Sequence, residues 1–223
     1  MYRKLLIVMA LGASLLSAAS YASKRLDAAT TAFKEVMATP DRAIPQDLLE
    51  RAECVVIVPD LKRAAFVFGV KYGKGFFICR NKTGVGWSAP GAIRMEGVNF
   101  GLQIGGAETD VFMLVMNDKG MDRLLSTQFT LGGDASAAAG PVGRDTQAET
   151  DAALTAEILT WSRSRGLFAG VSLSGATLRE DSDWNEELYD KKISNREIVN
   201  AGTEAPPSAA TLIDELNRYS SRK

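Results

Sequence analysis

The chain has 223 residues, 46% of them hydrophobic and 24% charged, which is ample apolar content for one well-buried domain and far from a disordered composition. Its 26 basic and 27 acidic residues nearly cancel, so net charge gives no mark of a nucleic-acid binder. Histidine is absent, which removes Ser-His-Asp and Cys-His catalysis of the usual kind, HExxH zinc sites, and any side chain whose ordinary pKa lies near neutrality.

Arg3 and Lys4 precede LLIVMALGASLL, an apolar run short for a bilayer span, and SAASYAS follows with small residues placed for cleavage. Residues 1–22 therefore read as a signal peptide, with a retained signal anchor as the alternative, and the processed chain starts near Ser23. No cysteine lies there, so attachment through a lipidated N-terminal cysteine is not expected. The expected location is periplasmic, soluble or peripherally bound to a membrane. Residues 1–22 hold two of the basic residues and none of the acidic ones, so the processed chain is slightly acidic.

In SKRLDAATTAFKEVMAT, Leu26, Ala29, Phe33, Val36 and Met37 follow helical spacing, and Lys24, Arg25, Asp27, Lys34 and Glu35 fall mostly on the other side. This amphipathic helix either covers a core or lies in a membrane interface. QDLLERAE at 46–53 reads as a short helix opened by Pro45.

From Cys54 the texture changes to short β-branched and aromatic runs: CVVIVP, AAFVFGVKYG, GFFICR, VGWSAP, VNFGLQIG and DVFMLVM. Turn residues between them and glycines within them indicate curved antiparallel strands. Cys54 and Cys79 lie in two of these runs, and in an oxidising compartment they either pair as strand neighbours or remain small core residues. DKGMDRLLST at 118–127 interrupts with a short helix. The stretch 129–145, FTLGGDASAAAGPVGRD, lacks the Gly-Lys-Ser/Thr ending of a phosphate-cradling loop and fits close-packed backbone better.

ALTAEILTWSR and GLFAGVSLSGATL resemble another hairpin, although the first arm also has helical periodicity. EDSDWNEE reads as a solvated helix start, and WNEELYDKK, NREIVNA and SAATLIDELNRY as helical pieces, with 204–223 as a helical tail beyond a domain of residues 23–203. Carboxylate pairs such as Asp181 with Asp183 or Glu186 with Glu187 sit in that polar run. GWSAPG and GVSLSG both miss the G-x-S-x-G elbow. No catalytic constellation, metal site or cofactor site emerges. The fold class expected is α+β: a curved antiparallel sandwich or partly closed barrel over roughly 54–178, flanked by terminal helices.

Charge is segregated along the chain. Between Asp60 and Glu96 there is no carboxylate, whereas Lys62, Arg63, Lys71, Lys74, Arg80, Lys82 and Arg94 all fall there, interleaved with Phe66, Phe68, Tyr72, Phe76, Phe77 and Trp87. The acidic counterpart is 180–190. Such a segment either attracts an anionic surface or keeps strand edges soluble.

DLLERAECVVIVPDLKRAAFVFGVKYGKGFFICR, GVGWSAPGAI, FGLQIGGAETDVFMLVMN, FTLGGDASAAAGPVGRD and SRSRGLFAGVSLSGATL, in this order, resemble the SYLF family of lipid-binding domains from roughly Leu26 to Val199. The resemblance implies that 129–145 is scaffold. It also implies a non-enzymatic module: eukaryotic members bind phosphoinositide membranes through a basic surface and an N-terminal amphipathic helix, and some bind actin. For an exported bacterial-type chain without the accompanying modules, it implies anionic phospholipid as partner, with neither actin nor nucleic acid. By position, Lys24, Arg25 and Lys34 on the first helix and the basic residues of 62–94 are the implied lipid contacts. A structural or carrier protein enclosing an apolar ligand in its curved sheet is the alternative.

Overall fold

The computed structural model describes residues 20–39, 43–65, 68–83, 85–100, 105–142, 155–164 and 167–220. Among them are helices α1 (Tyr21–Met37), α2 (Gln46–Arg51) and α3 (Asp118–Leu124), then α4 (Ser182–Tyr189), α5 (Asn195–Asn200) and α6 (Ala210–Ser220). The strands are β1 (Cys54–Ala65), β2 (Phe68–Cys79), β3 (Gly91–Phe100), β4 (Gly105–Val115), β5 (Gln128–Thr130), β6 (Ala137–Ala139), β7 (Ile158–Ser164), β8 (Leu167–Gly170) and β9 (Thr177–Glu180). They form a single sheet in the order β5-β9-β3-β2-β1-β4-β7-β6, with β8 paired to β7, and the sheet curls into a half-barrel. This is the expected α+β class in its partly closed barrel form. All pairings are antiparallel except β6 with β7.

The central strands read as nearly continuous apolar runs because both faces are buried. On one face Val55, Ile57, Phe76, Ile78, Phe112, Leu114 and Trp161 meet Leu26, Phe33 and Val36 of α1, Leu48 and Leu49 of α2, and Leu212 and Leu216 of α6. On the other, Val56, Val58, Leu61, Phe77, Met95, Val111 and Met113 lie under Leu124, Leu125, Phe129, Leu131 and Leu173. The expected helical tail contributes to this core, since Leu212 and Leu216 are buried. Among the described residues both faces of the central sheet are packed with apolar side chains.

Cys54 and Cys79 are register partners on β1 and β2 and are joined by a disulfide. VGWSAP does not make a strand; only Trp87 bridges back to Arg80. Pro59 and Asp60 interrupt β1. Proline cannot donate to the ladder, and Asp60 takes a left-handed φ of 48°, so β1 carries one extra residue relative to both neighbours. The bulge is held by Asp110, whose Oδ1 accepts the Asp60 N–H at 3.0 Å. It also resets the alternation, putting Leu61 and Arg63 on one face and Lys62 on the other.

The small residues of 129–142 are explained by packing. Gly132 turns the chain at a φ of +79°. A Cβ on Gly140 would fall 2.0 Å from the Trp161 ring, and one on Gly170 would fall 2.0 Å from the Gly140 carbonyl oxygen. The Trp161 Nε1–H donates to the Pro141 carbonyl at 2.8 Å. The backbone here is a collar around a buried indole, which agrees with the close-packed reading; Gly143, Arg144 and Asp145 lie outside the described residues.

Candidate anion-binding surface

The ten basic residues picked from the sequence separate into structural and exposed groups. Arg80 is only 5% exposed. Its Nη2 donates to the Leu49 and Glu50 carbonyls at 3.2 and 3.3 Å, its Nε to the Ala52 carbonyl at 3.4 Å, and its guanidinium lies 3.7 Å from the Trp87 ring centroid. It closes the C-terminus of α2, where carbonyls lack helical partners, and it does not face solvent as a lipid contact must.

Lys74 is likewise committed. Its Nζ lies 2.7 Å from Asp181 Oδ2 and 4.5 Å from the Trp184 ring centroid. Asp181, 1% exposed, caps α4 by accepting the Trp184 N–H at 3.2 Å. The start of EDSDWNEE is therefore a buried docking point rather than a solvated one. Beside it Asn185 accepts the Ala92 N–H at 2.8 Å and donates to Asn195, which donates to the Ala92 carbonyl at 3.1 Å, tying α4 and α5 to β3.

On α1 the apolar stripe is internal: Leu26 and Phe33 are fully buried and Met37 nearly so. Of the two placements expected for α1 this is the core-covering one, because the residues that would enter a membrane interface are packed on the sheet. Arg25 Nη1 pairs with Asp60 at 2.8 Å and donates to the Pro59 carbonyl at 3.2 Å, clasping the β1 bulge. Lys34 lies 3.5 Å from Glu215 of α6. Lys24 is exposed, 5.8 Å from the Tyr21 ring.

Arg94 meets Glu96 on its own strand at 3.0 Å, and Glu96 also takes Arg179 at 3.2 Å. Lys82 is exposed in the turn beyond the disulfide, at the opposite end of β2 from Phe68. Lys62 is 71% exposed in its side chain and only 4.0 Å from Glu108 at closest.

Arg63 and Lys71 are direct cross-strand partners on β1 and β2, and, as for Lys24 and Lys82, no described acidic residue pairs with either. Burial, and then the Arg63 charge, hold the Lys71 ammonium below its ordinary pKa.

The same end of the sheet exposes apolar side chains. Val70 and Val98, register partners on β2 and β3, are 54% and 58% exposed, and Tyr72 is 47% exposed. Of the interleaved aromatics named above, Phe76, Phe77 and Trp87 are core residues, and Phe66 lies outside the described residues. The sequence reading missed Arg163, which bonds Asp110 and Glu35; burial opposes its charge, but those two carboxylates raise its pKa overall. Only its place in a β strand opposite Asp110 could have revealed that clasp.

The acidic 180–190 segment contributes to a cleft of about 370 Å³ lined by Glu180, Asp183, Glu186, Lys192, Ser194 and Glu197. Two of its lining residues are engaged in helix capping: Ser194 and Glu197 form a capping box, and hydrogen bonds from Ser194 hold the Glu197 carboxyl below its usual pKa. Among the described residues no trio of Cys, Asp or Glu is arranged to hold a metal, and no helix is long and apolar enough to cross a membrane.

Residues 96–219 match the Ysc84 family, described as Las17-binding protein actin regulator. The chain is 36% identical over 177 residues to Protein YSC84 of Saccharomyces cerevisiae, covering 78% of this chain and 37% of that protein. It is 37% identical over 178 residues to the SH3 domain-containing protein PJ696.02 of Schizosaccharomyces pombe, covering 78% and 41%. Against SH3 domain-containing YSC84-like protein 1 of Homo sapiens the identity is 32% over 184 residues, covering 82% and 53%. The chain thus spans between 37% and 53% of the length of these relatives.

Proposed function

The chain belongs to the Ysc84, or SYLF, family, and on that premise we propose that it is a non-enzymatic domain that docks on anionic phospholipid surfaces in a cell envelope. The observation that carries this reading is the composition of one sheet end. Val70, Val98 and Tyr72 stand exposed on one face there, where Lys62 is the cross-strand partner of Tyr72, and Arg63 and Lys71 pair on the opposite face of the same strands. A sheet end that carries both exposed apolar side chains and cations suits an interface where the first enter the acyl boundary and the second meet phosphates. Each basic residue held near an anionic leaflet contributes about 1 kcal/mol. The lipid contacts are therefore reassigned from the whole 62–94 segment to Lys62, Arg63 and Lys71, while Arg80 and Lys74 act within the fold.

The disulfide between Cys54 and Cys79 supports export, because such bonds persist in oxidising compartments. Las17 binding and actin regulation belong to the family description and to longer relatives, and are not carried to this chain. The test is sedimentation with phosphatidylcholine vesicles containing or lacking phosphatidylglycerol. Binding that needs the anionic lipid, and that is reduced by Lys62→Glu with unchanged thermal stability, supports the reading; indifference of binding to the anionic lipid contradicts it.

A further inference from the structure

A protease that removes a signal peptide reads small residues at the first and third positions before the cut. Beyond the apolar run of residues 5–16, Ala19–Ser20, Ser20–Tyr21 and Ala22–Ser23 all satisfy that pattern. The processed start near Ser23 expected from the sequence uses the last of them, and spacing alone does not choose.

The fold does choose. Helix α1 begins at Tyr21, and Ser20 is its N-cap. The Ser20 hydroxyl accepts the Ser23 N–H at 3.1 Å, and the Ser20 carbonyl accepts the Lys24 N–H at 3.0 Å as the first bond of the helix. Ala22 is fully buried and extends the stripe of Leu26, Ala29 and Phe33 by one turn. Its N–H has no partner within the helix at that position, and it donates to Glu187 Oε1 of α4 at 3.1 Å. A cut after Ala22 strips the cap, a core residue and this tie between α1 and α4. It also puts a new ammonium inside the first turn, where the helix dipole is already positive.

Backbone geometry agrees. Ser20 has a φ of −64° and a ψ of 164°, the extended form that recognition clefts engage through main-chain hydrogen bonds. The Ala22–Ser23 bond lies inside the first helical turn, with its N–H held by the Ser20 hydroxyl. Ala19–Ser20 is thus the bond on the N-terminal side of the cap, and its cleavage removes none of these contacts.

We propose that Ala19–Ser20 is the processing site of this chain, so that the processed protein begins with the N-cap of α1. The agent is a membrane-bound signal-peptide protease, and the co-reactant is one water. The water hydroxyl joins the Ala19 carbonyl carbon as the C–N bond breaks, and the other hydrogen goes to the Ser20 nitrogen. The new acid's proton then moves to that amine, leaving a carboxylate and an ammonium. The inference rests on the reading of the N-terminal segment as a signal peptide, and it moves the end of that segment back to Ala19.

The experiment expresses the full chain with its own N-terminal segment in a Gram-negative host and reads the product from the envelope fraction by intact mass and N-terminal peptide sequencing. The expected product begins at Ser20. Ser20→Ala keeps all the candidate bonds cleavable, since alanine is as small as serine, and separates them by its effect. With Ser20 retained, the variant product is lighter than wild type by one oxygen atom and melts about 2–4 °C lower through loss of the cap. A variant product identical to wild type in mass and melting overturns the proposal, because the substituted residue has been cut away.

Ala19→Leu puts a large side chain immediately before the proposed cut and leaves the first and third positions before the other two bonds unchanged. It should leave most of the chain unprocessed, and normal processing overturns the proposal. A wild-type product that starts at Tyr21 or Ser23 overturns the site and leaves export standing. A full-length product that stays in the membrane overturns the site together with the signal-peptide reading.

Discussion

Phe33→Ala tests whether α1 belongs to the core. The ring is fully buried, packs edge-on to Tyr219 with centroids 6.2 Å apart, and sits in the cluster formed with Val36, Leu216 and the sheet. Truncating such a side chain removes its transfer free energy and leaves a cavity that the long strands beneath cannot collapse into, which together cost about 3–5 kcal/mol. For a domain of this size each kcal/mol lowers Tm by about 2–4 °C, so a fall of roughly 6–20 °C is expected in a thermal melt followed by circular dichroism. Vesicle binding measured well below the new Tm should be unchanged. A variant that melts within about 2 °C of the wild type, and that has lost affinity for anionic vesicles, would refute the placement of α1 and return it to the membrane.

Lys74→Met leaves Asp181 buried without its cation, and unpairing of this kind costs about 3–5 kcal/mol, read as a shifted denaturation midpoint; an unchanged midpoint would show that the pair is not formed. Reducing Cys54–Cys79 releases a loop with a sequence separation of 25, for which chain entropy gives about 3.5 kcal/mol, so melts with and without reductant should separate clearly. Coincident melts would sink that assignment. The lowered Lys71 pKa makes protonation unfavourable in the folded state, so the penalty is full below the folded pKa and disappears as pH rises toward the unfolded value of 10.5. Lys71→Met should therefore exceed the wild type in Tm at pH 7 by more than at pH 10, and a constant difference would contradict the desolvation of Lys71.

Much of the fold was legible in the sequence. The 3.6-residue spacing of Leu26, Ala29, Phe33 and Met37 marks α1, and the short β-branched runs mark β1 to β4, because periodicity and turn residues are local signals. The site was legible only as a region. A carboxylate-free stretch from Lys62 to Arg94 is visible, but which of its cations reach solvent depends on distant partners: Lys74 meets Asp181, and Arg80 meets the end of α2. Alternation along β1 also misleads, since the extra residue at Pro59 and Asp60 exchanges the faces of everything after it and sets Arg63 opposite Lys71. That bulge depends on Asp110 and Arg25, residues that no spacing rule connects to it.

The central claim, docking of the Lys62, Arg63 and Lys71 end on anionic lipid, is tested most directly by sedimentation of the wild type and of Lys62→Glu/Lys71→Glu with phosphatidylcholine/phosphatidylglycerol vesicles at low and high salt. The account predicts wild-type binding at low salt that weakens as salt screens the charges, and binding in the double variant reduced at least about twentyfold with the fold intact. Equal sedimentation of the two proteins, or binding by the wild type that is indifferent to salt, would contradict it.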